Sequence, residues 1–584
     1  MYNILIISPL LFALIVLMGG VKFKNILIIF FVGVLSILSL LNMFFATTFV
    51  SNLSHMYHKI FILIDTLLLL YFLAQGIIKK NHLVSGFAIV QILLYSVVLS
   101  LSPTLLSNDI LVDNISSVMY LVINIVGGII IIYAIEYIKS EEFSEFKKNA
   151  FIAILFLFLS VMNFIVSTNN IEIFFMLFEL TTLCSFILIG YRGDKTSSEN
   201  ALKALWMNQI GGVAILIALI FSIHNYNTIY FDMLITNINE LYLLPIVFLA
   251  IAGFVKGASI PFEKWLLGAM VAPTPVSAIL HSATMVKIAP YLMLKLAPAM
   301  SGFVSVTITL IGTFVFFSAS LLALSKDYFK EILGLSTIAL LALMMSLAAI
   351  ATEEAIMACL ILIVFHAVSK ALLFLQAGIL EKSFHLKYVN DINGLINHSP
   401  LVVFFIIIGF ASLTLPPFGA FAAKFMAIES IAKEIVNNPL YSLALIFVAL
   451  GSVFLTLLYF KVVTKLFAKD VDHKEKLHVK IPKLYTFSSY MLLALLFIGV
   501  YVSFDIELLS ALEIIVPLVL IAVIPMLFAI FVFKKAHRVK EYHCGEKDEV
   551  KLNMYYFDIP QKYKQLINVI AISSILILIA GVIL

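Results

Sequence analysis

Residues 253–287 read "GFVKGASIPFEKWLLGAMVAPTPVSAILHSATMVK". The stretch is apolar enough for the interior of a membrane, yet Lys256, His281 and Lys287 sit within it. Pro261, Pro273, Pro275 and the Gly-Ala-Ser step at 257–259 interrupt any single helix. Proline inside a helix removes a backbone donor and clashes with the preceding turn. Non-helical backbone at membrane depth is tolerated only where protein buries it or it lines a wet cavity. The stretch therefore predicts a broken helix within a bundle, its cations turned away from lipid. The break is expected to free backbone groups and to draw in water.

The rest of the chain fixes the class. Of 584 residues, 63% are hydrophobic and 12% charged, and the mean hydropathy is +1.12. A soluble chain of this length carries a far more charged surface. Apolar stretches of about 18 residues or more recur from end to end, each able to cross about 30 Å of hydrocarbon. A membrane barrel would show short alternating segments instead. The expected fold class is an all-α polytopic membrane protein of about 18 transmembrane helices, running from 3–20 through 509–534 to 564–584. Met1–Gly20 has neither a basic leader region nor a cleavage pattern and reads as a first span. The net charge of +4 calls for no nucleic-acid partner. Three scattered cysteines without a CxxC motif offer neither an iron–sulfur site nor a structural zinc, so no cofactor is expected in this chain.

Charge in the loops predicts orientation. Lys22, Lys24, Lys79, Lys80, Lys139, Lys147, Lys148, Arg192 and Lys195 follow alternate spans, and the intervening loops hold almost no Lys or Arg. "TEE" (352–354) and "FDIE" (504–507) are acidic. The positive-inside rule then puts the basic loops in the cytoplasm and both termini outside the cell (plasma) membrane. The register holds only if 241–272 and 401–436 each cross once as long, broken helices. The first carries "FVKGASIPFEKW" with Lys256, the second "ASLTLPPFGAFAAKFMAIE" with Lys424. Paired interrupted segments in two halves are the mark of inverted repeats. The chain divides into N-terminal helices at 1–110, one helix ahead of the repeats at 111–149, a first inverted five-helix repeat at 150–300, a second at 301–470, and C-terminal helices with cytoplasmic loops at 471–584.

The main ionisable candidates inside spans are Glu179, Lys256, His281, Lys287, His366, Lys370 and Lys424. Each would cost about 2.5–3.5 kcal/mol at the bilayer centre, so they must face inward, pair, or line water. His366 and Lys370, four apart, share a helix face. Desolvation favours a neutral lysine and a nearby carboxylate favours the ammonium. A lysine alternating between those surroundings changes its proton affinity. Plainer roles stand beside this one: a static Glu179–Lys256 pair locking two helices, a packing role for His281, and snorkelling for Lys330 at a span end. Lys287 could reach water or a carbonyl. Asp65, inside the third span, has no evident partner and reads as structural or as a boundary error.

Four runs carry a resemblance: "LFELTTLCSFILIG" (177–190), "KGASIPFEKWLLGAMVAPTPVSAILHSATMV" (256–286), "FHAVSKALLFLQAG" (365–378) and "SLTLPPFGAFAAKF" (412–425). They resemble the antiporter-like subunits of ion-pumping membrane complexes. That family includes subunit L of respiratory complex I, the large Mrp antiporter subunits of the A and D types, and the corresponding membrane subunits of group 4 nickel–iron hydrogenases. The likeness covers roughly residues 110–470. It implies a polar axis along the membrane midplane through which protons move. By the same resemblance Glu179 is the glutamate that pairs with Lys256 of the first broken helix. His281 is the bridging histidine, Lys330 the lysine of "KEILGLST", His366 and Lys370 the central pair, and Lys424 the lysine beside the exit.

The sequence departs from the family in places. Leu335 stands where a tyrosine is usual, and Gln209 and Gly212 where subunit L has a charge pair. Lys287 is additional. Two spans, about 59–105, are extra ahead of "VDNISSVMYLV". About 30 polar residues precede the last span, too few for the long lateral helix of subunit L. The resemblance thus implies the proton-translocating subunit of a redox-driven pump, with an energy-converting group 4 hydrogenase favoured. The alternatives are a component of an Mrp-type Na+/H+ antiporter, or subunit L of an NADH-quinone oxidoreductase. Redox chemistry would lie in other chains. The implied partners are further membrane subunits, a peripheral redox arm, the lipid bilayer, and H+ or Na+.

Overall fold

The computed structural model describes residues 2–18, 24–45, 48–101, 103–105, 107–238, 243–467, 481–505 and 558–583. The principal helices are α1 (Tyr2–Met18), α2 (Lys24–Phe45), α3 (His55–Ile78), α4 (His82–Ser100), α5 (Asn114–Lys139), α6 (Glu145–Ile165), α7 (Ile171–Ile189), α8 (Lys195–Tyr226) and α9 (Leu244–Lys256). They continue as α10 (Thr274–Ser282), α11 (Ile288–Leu296), α12 (Gly302–Leu324), α13 (Phe329–Ile350), α14 (Glu353–Ser383), α15 (Pro400–Thr414), α16 (Gly419–Glu434), α17 (Tyr441–Phe467), α18 (Lys483–Asp505) and α19 (Gln561–Ile583). Among the described residues, 15 helical segments are long and apolar enough to cross a membrane, and α1 and α9 are shorter apolar helices. This is an all-α polytopic membrane protein. The span expected at 509–534 and most of the polar segments at 469–485 and 535–563 lie outside the described residues.

Local sequence sets the helix starts. Asn81, Asp113, Ser144, Asn170, Asp194 and Thr352 each accept a hydrogen bond from a backbone amide of the following first turn. Such caps satisfy donors that a helix leaves open at its N-terminus. Amide side chains and a hydroxyl then tie the first helices together. Asn124 of α5 and Asn163 of α6 exchange side-chain hydrogen bonds of 3.1 and 2.9 Å. Asn124 also donates to Ser39 of α2 at 3.0 Å, and Asn163 to the Leu5 carbonyl of α1 at 2.9 Å. Asn124 lies in a π-helical turn, Val122–Val126, within α5.

Two strands interrupt the helical order. β1 (Phe49–Ser51) pairs antiparallel with β2 (Ile110–Val112), with Phe49 opposite Val112 and Ser51 opposite Ile110. The chain between them is the α3–α4 hairpin, which leaves and returns at one point and packs against α7 and α8. These are the two extra helices noted in the sequence.

Burial is graded across the bundle. The spans Thr274–Ala299 and Phe329–Ile350 are wholly buried over their apolar windows, whereas α3, α4 and α17 are 28% buried and α19 is 17% buried. The helices with internal lysines and histidines are thus the ones that other helices cover, as the cost of charge in hydrocarbon requires. One expectation needs correction: 274–297 does not cross as a single helix. α10 stops at Ser282, the chain turns at Thr284 with φ −123° and ψ −112°, and a 3-10 turn at Met285–Lys287 starts α11. The Ser-Ala-Thr sequence is a weak helix former, and the Thr284 hydroxyl caps the Ile279 carbonyl instead at 2.8 Å.

The amide network makes a stability prediction. Asn163→Leu should strand Asn124 and lower unfolding stability in detergent by about 1–2 kcal/mol. Thermal unfolding of the purified chain, compared with the lipid-side control Ser96→Ala, checks this.

Candidate functional site

The structure buries every ionisable residue singled out inside the spans. Glu179, Lys256, His281, Lys287, His366 and Lys370 have no solvent exposure, and Lys330 and Lys424 are almost fully covered. They divide into stations held by different helices.

The first station joins α4, α7, α8 and α9. Glu179 Oε1 accepts from Gln91 Nε2 of α4 at 2.8 Å, and Gln91 Nε2 also reaches the Gln209 carbonyl of α8 at 3.2 Å. Lys256 Nζ donates to the Phe178 carbonyl at 3.1 Å and to Thr182 Oγ1 at 2.9 Å. It lies 3.8 Å above the centre of the Phe178 ring. The expected Glu179–Lys256 ion pair is not made within 4.0 Å among the described residues. The reason is local: α7 offers the lysine a carbonyl and a hydroxyl flanking Glu179, while α4 offers the carboxylate an amide. Glu179 Oε2 has no hydrogen-bond partner among the described residues. Gly212 makes room for this arrangement, since a Cβ there would overlap both Glu179 Oε1 and Gln91 Nε2.

The break after Lys256 leaves the lysine at a helix end. Lys256 closes α9, where a cation complements the negative helix end. The carbonyls that the break would free are taken up at once. Gly257 N bonds Gly253 O at 2.8 Å, Ser259 N bonds Phe254 O at 2.9 Å, and Trp265 Nε1 bonds Val255 O at 2.9 Å. Ala258 adopts a left-handed φ of 52° to turn the chain. The interruption thus keeps the last carbonyls of α9 paired, while Ser259 Oγ has no partner among the described residues.

The central station gathers α10, the 3-10 turn after it, α13 and α14. Lys287 Nζ lies 2.7 Å from His366 Nδ1. A lysine donor there requires a neutral His366 carrying its proton on Nε2. That Nε2 has no partner among the described residues, and neither ring nitrogen of His281 has one. Lys370 Nζ donates to Leu333 O at 3.0 Å and to Ser336 Oγ at 2.5 Å. His281 packs 4.9 Å from the Phe374 ring centre and lies within electrostatic reach of Lys370. Lys287, which the sequence left unplaced, thus sits in this station beside His366.

Two expected residues lie elsewhere. Lys330 does not snorkel: its Nζ is 2.5 Å from Glu381 Oε2 at the far end of α14. Thr274 Oγ1 donates to the same oxygen at 3.2 Å. Nearby, Glu141 receives Lys382 at 2.7 Å and Arg192 at 3.5 Å. Lys424 sits in α16, past the loop at 415–418, and makes no hydrogen bond or ion pair among the described residues. Glu381 escaped the sequence reading because the span was ended at 380. Gln91 escaped it because an uncharged amide gives no signal of its own. Among the described residues no group of three or more His, Cys, Asp or Glu side chains could hold a metal ion.

Residues 168–456 match the family described as "NADH:quinone oxidoreductase/Mrp antiporter, TM", and residues 100–146 match "NADH-Ubiquinone oxidoreductase (complex I), chain 5 N-terminus". The chain belongs to the Mrp/complex-I antiporter-like family of membrane subunits. It is 32% identical over 358 residues to the A1 subunit of the Na(+)/H(+) antiporter of Staphylococcus haemolyticus, covering 57% of this chain and 44% of that protein. It is 31% identical over 346 residues to the protein of the same name in Staphylococcus aureus (strain JH9), covering 55% and 42%. The chain thus spans less than half the length of these curated relatives.

Gly212→Ala should displace Glu179 and Gln91 and lower unfolding stability by about 1–3 kcal/mol. Thermal unfolding of the purified chain in detergent checks it. Gly86, with open space around its Cβ position, is the control.

Proposed function

We propose that this chain is the proton-translocating, antiporter-like subunit of a multi-subunit membrane complex, of the Mrp Na+/H+ antiporter type. The observation that carries the reading is the covered series of lysines and histidines across α9–α14. A lysine ammonium has donors and no acceptor, so it cannot ligate Na+. A chain of Lys and His side chains suits H+, as intramembrane ionisable residues commonly do in pumps and transporters. The names of the matched relatives support an antiporter context.

In this reading Lys256 works by exchanging partners. Held by Phe178 O and Thr182 Oγ1, it is separated from Glu179; on swinging to the carboxylate it would be favoured as the ammonium. Release from the carboxylate would pass its proton toward His281 and the Lys370, Lys287 and His366 group. Lys424 would discharge it on the far side. Lys330 and Glu381 would gate entry from the basic face. We also read 150–300 and 301–470 as inverted repeats, supported by the matching breaks after Lys256 and before Lys424. The helices at 1–110, 111–149 and 471–584 flank them. The alternating basic loops support a cytoplasmic basic face with both termini outside.

An energy-converting hydrogenase subunit would use the same residues, and subunit L of a complex I-type enzyme is a further variant. Co-purification separates them: an all-membrane complex is expected. A hydrogenase large subunit with ferredoxin-like iron–sulfur proteins would overturn the antiporter assignment. For the transport role, Lys256→Ala should slow proton movement in proteoliposomes of the purified complex by about a hundred-fold. A wild-type rate would sink it.

A further inference from the structure

The α3–α4 hairpin lies outside both family matches, yet it brings a carboxylate to the first station. Asp65, midway along α3, is 2% exposed. Gly76 of α3 meets Ser85 of α4, and counting back along the hairpin sets Asp65 level with Tyr95 of α4, while α3 packs against α7, which carries Glu172 and Glu179. Tyr95 Oη donates to Glu172 Oε1 at 3.2 Å. Gln91 and Tyr95 are four apart and share a face of α4; Glu172 and Glu179 are seven apart and share a face of α7. The two helices thus form two rungs, Tyr95–Glu172 and Gln91–Glu179, with Asp65 set against both. Glu172 is half-buried, and near it half-buried His58 meets the buried Asp109, Nε2 to Oδ2 at 3.1 Å, at the outer end of the line.

The chemistry of this line is one-sided. Asp65 Oδ1, Gln91 Oε1 and Glu179 Oε2 are buried acceptors with no hydrogen-bond partner among the described residues. Lys256 is the nearest internal cation, and it acts on Glu179. Three carboxylates so placed cannot all be ionised in a low-dielectric interior, so they must share protons. A tyrosine hydroxyl between two carboxyl groups can accept a proton from one while donating its own to the other.

We propose that the α3–α4 hairpin forms an acidic proton branch, running from Glu172 through Tyr95 and Asp65 to Glu179, that exchanges protons between the β1–β2 face and the first station. A proton arriving on Glu172 passes to the Tyr95 oxygen as Tyr95 gives its own to Asp65. Asp65 then delivers a proton to Glu179 and is left ionised until the next. The branch rests on the transport role proposed above for Glu179 and Lys256.

The test uses the full-length chain in its purified complex in proteoliposomes. Asp65→Asn is expected to slow proton movement by about ten-fold and to shift its pH profile, and Asp65→Glu to recover most of the rate. Infrared difference spectra on a pH jump should lose one protonated-carboxyl band in Asp65→Asn. Tyr95→Phe removes a single hydroxyl and should also slow transport, which keeps the test decisive if Asp65→Asn assembles poorly. Wild-type rates and pH profiles in Asp65→Asn or Tyr95→Phe overturn the branch, as does a change confined to apparent Na+ affinity. If Lys256→Ala is inactive in the same assay while Asp65→Asn is wild type, the branch alone fails. If Lys256→Ala is also wild type, the transport role fails and takes the branch with it.

Discussion

Hydrocarbon cannot solvate an ammonium, and the buried lysines of these stations are positioned by that fact. Lys256 takes a carbonyl and a hydroxyl from α7. Lys370 takes a carbonyl and a hydroxyl from α13. Lys287 takes a histidine nitrogen, and Lys330 a carboxylate. Each partner lies on a different helix from its lysine, so satisfying the cation also fixes a helix contact. The helix breaks serve the same requirement. α9 ends at Lys256 and α10 one residue after His281, which sets both groups at helix termini where the backbone can turn.

The partners are of two kinds, and the difference bears on function. An ion pair such as Lys330–Glu381 holds both charges in place and breaks only at a large cost. A lysine on neutral oxygens, such as Lys256 or Lys370, has no fixed counter-charge and can lose its proton or move to a carboxylate at lower cost. The exchange proposed for Glu179 draws on that difference. One of its oxygens is held by Gln91 and the other has no partner among the described residues. The glycine at 212 leaves the space that this arrangement needs.

Much of this was legible in the residues. Hydropathy placed the spans because the bilayer imposes a length and an apolar composition on each. The Pro and Gly steps marked both broken helices, and the cost of buried charge picked out Glu179, Lys256, His281, His366 and Lys370. Pairing was not legible. Sequence sets Glu179 and Lys256 77 positions apart in different helices, and which atoms meet depends on how α4 and α7 dock. Gln91 carries no charge and so no penalty to notice. Asp65 did carry one, and with no partner evident in the sequence it read as structural or as a boundary error; the folded hairpin buries it where α3 packs on α4 and α7. A further break, at Ser282–Thr284, has no proline and was hidden in an apolar run.

The central claim is that Glu179 and Lys256 act as one exchanging unit even though they are apart in this structure. A double-mutant cycle on transport tests it: rates of proton movement for Glu179→Gln, Lys256→Met and the combination, in proteoliposomes of the purified complex. Groups that work as a unit are strongly non-additive. The combined variant is therefore expected to be no slower than the slower single variant. Losses that multiply across the two positions would mean that the residues act independently, and would contradict the account.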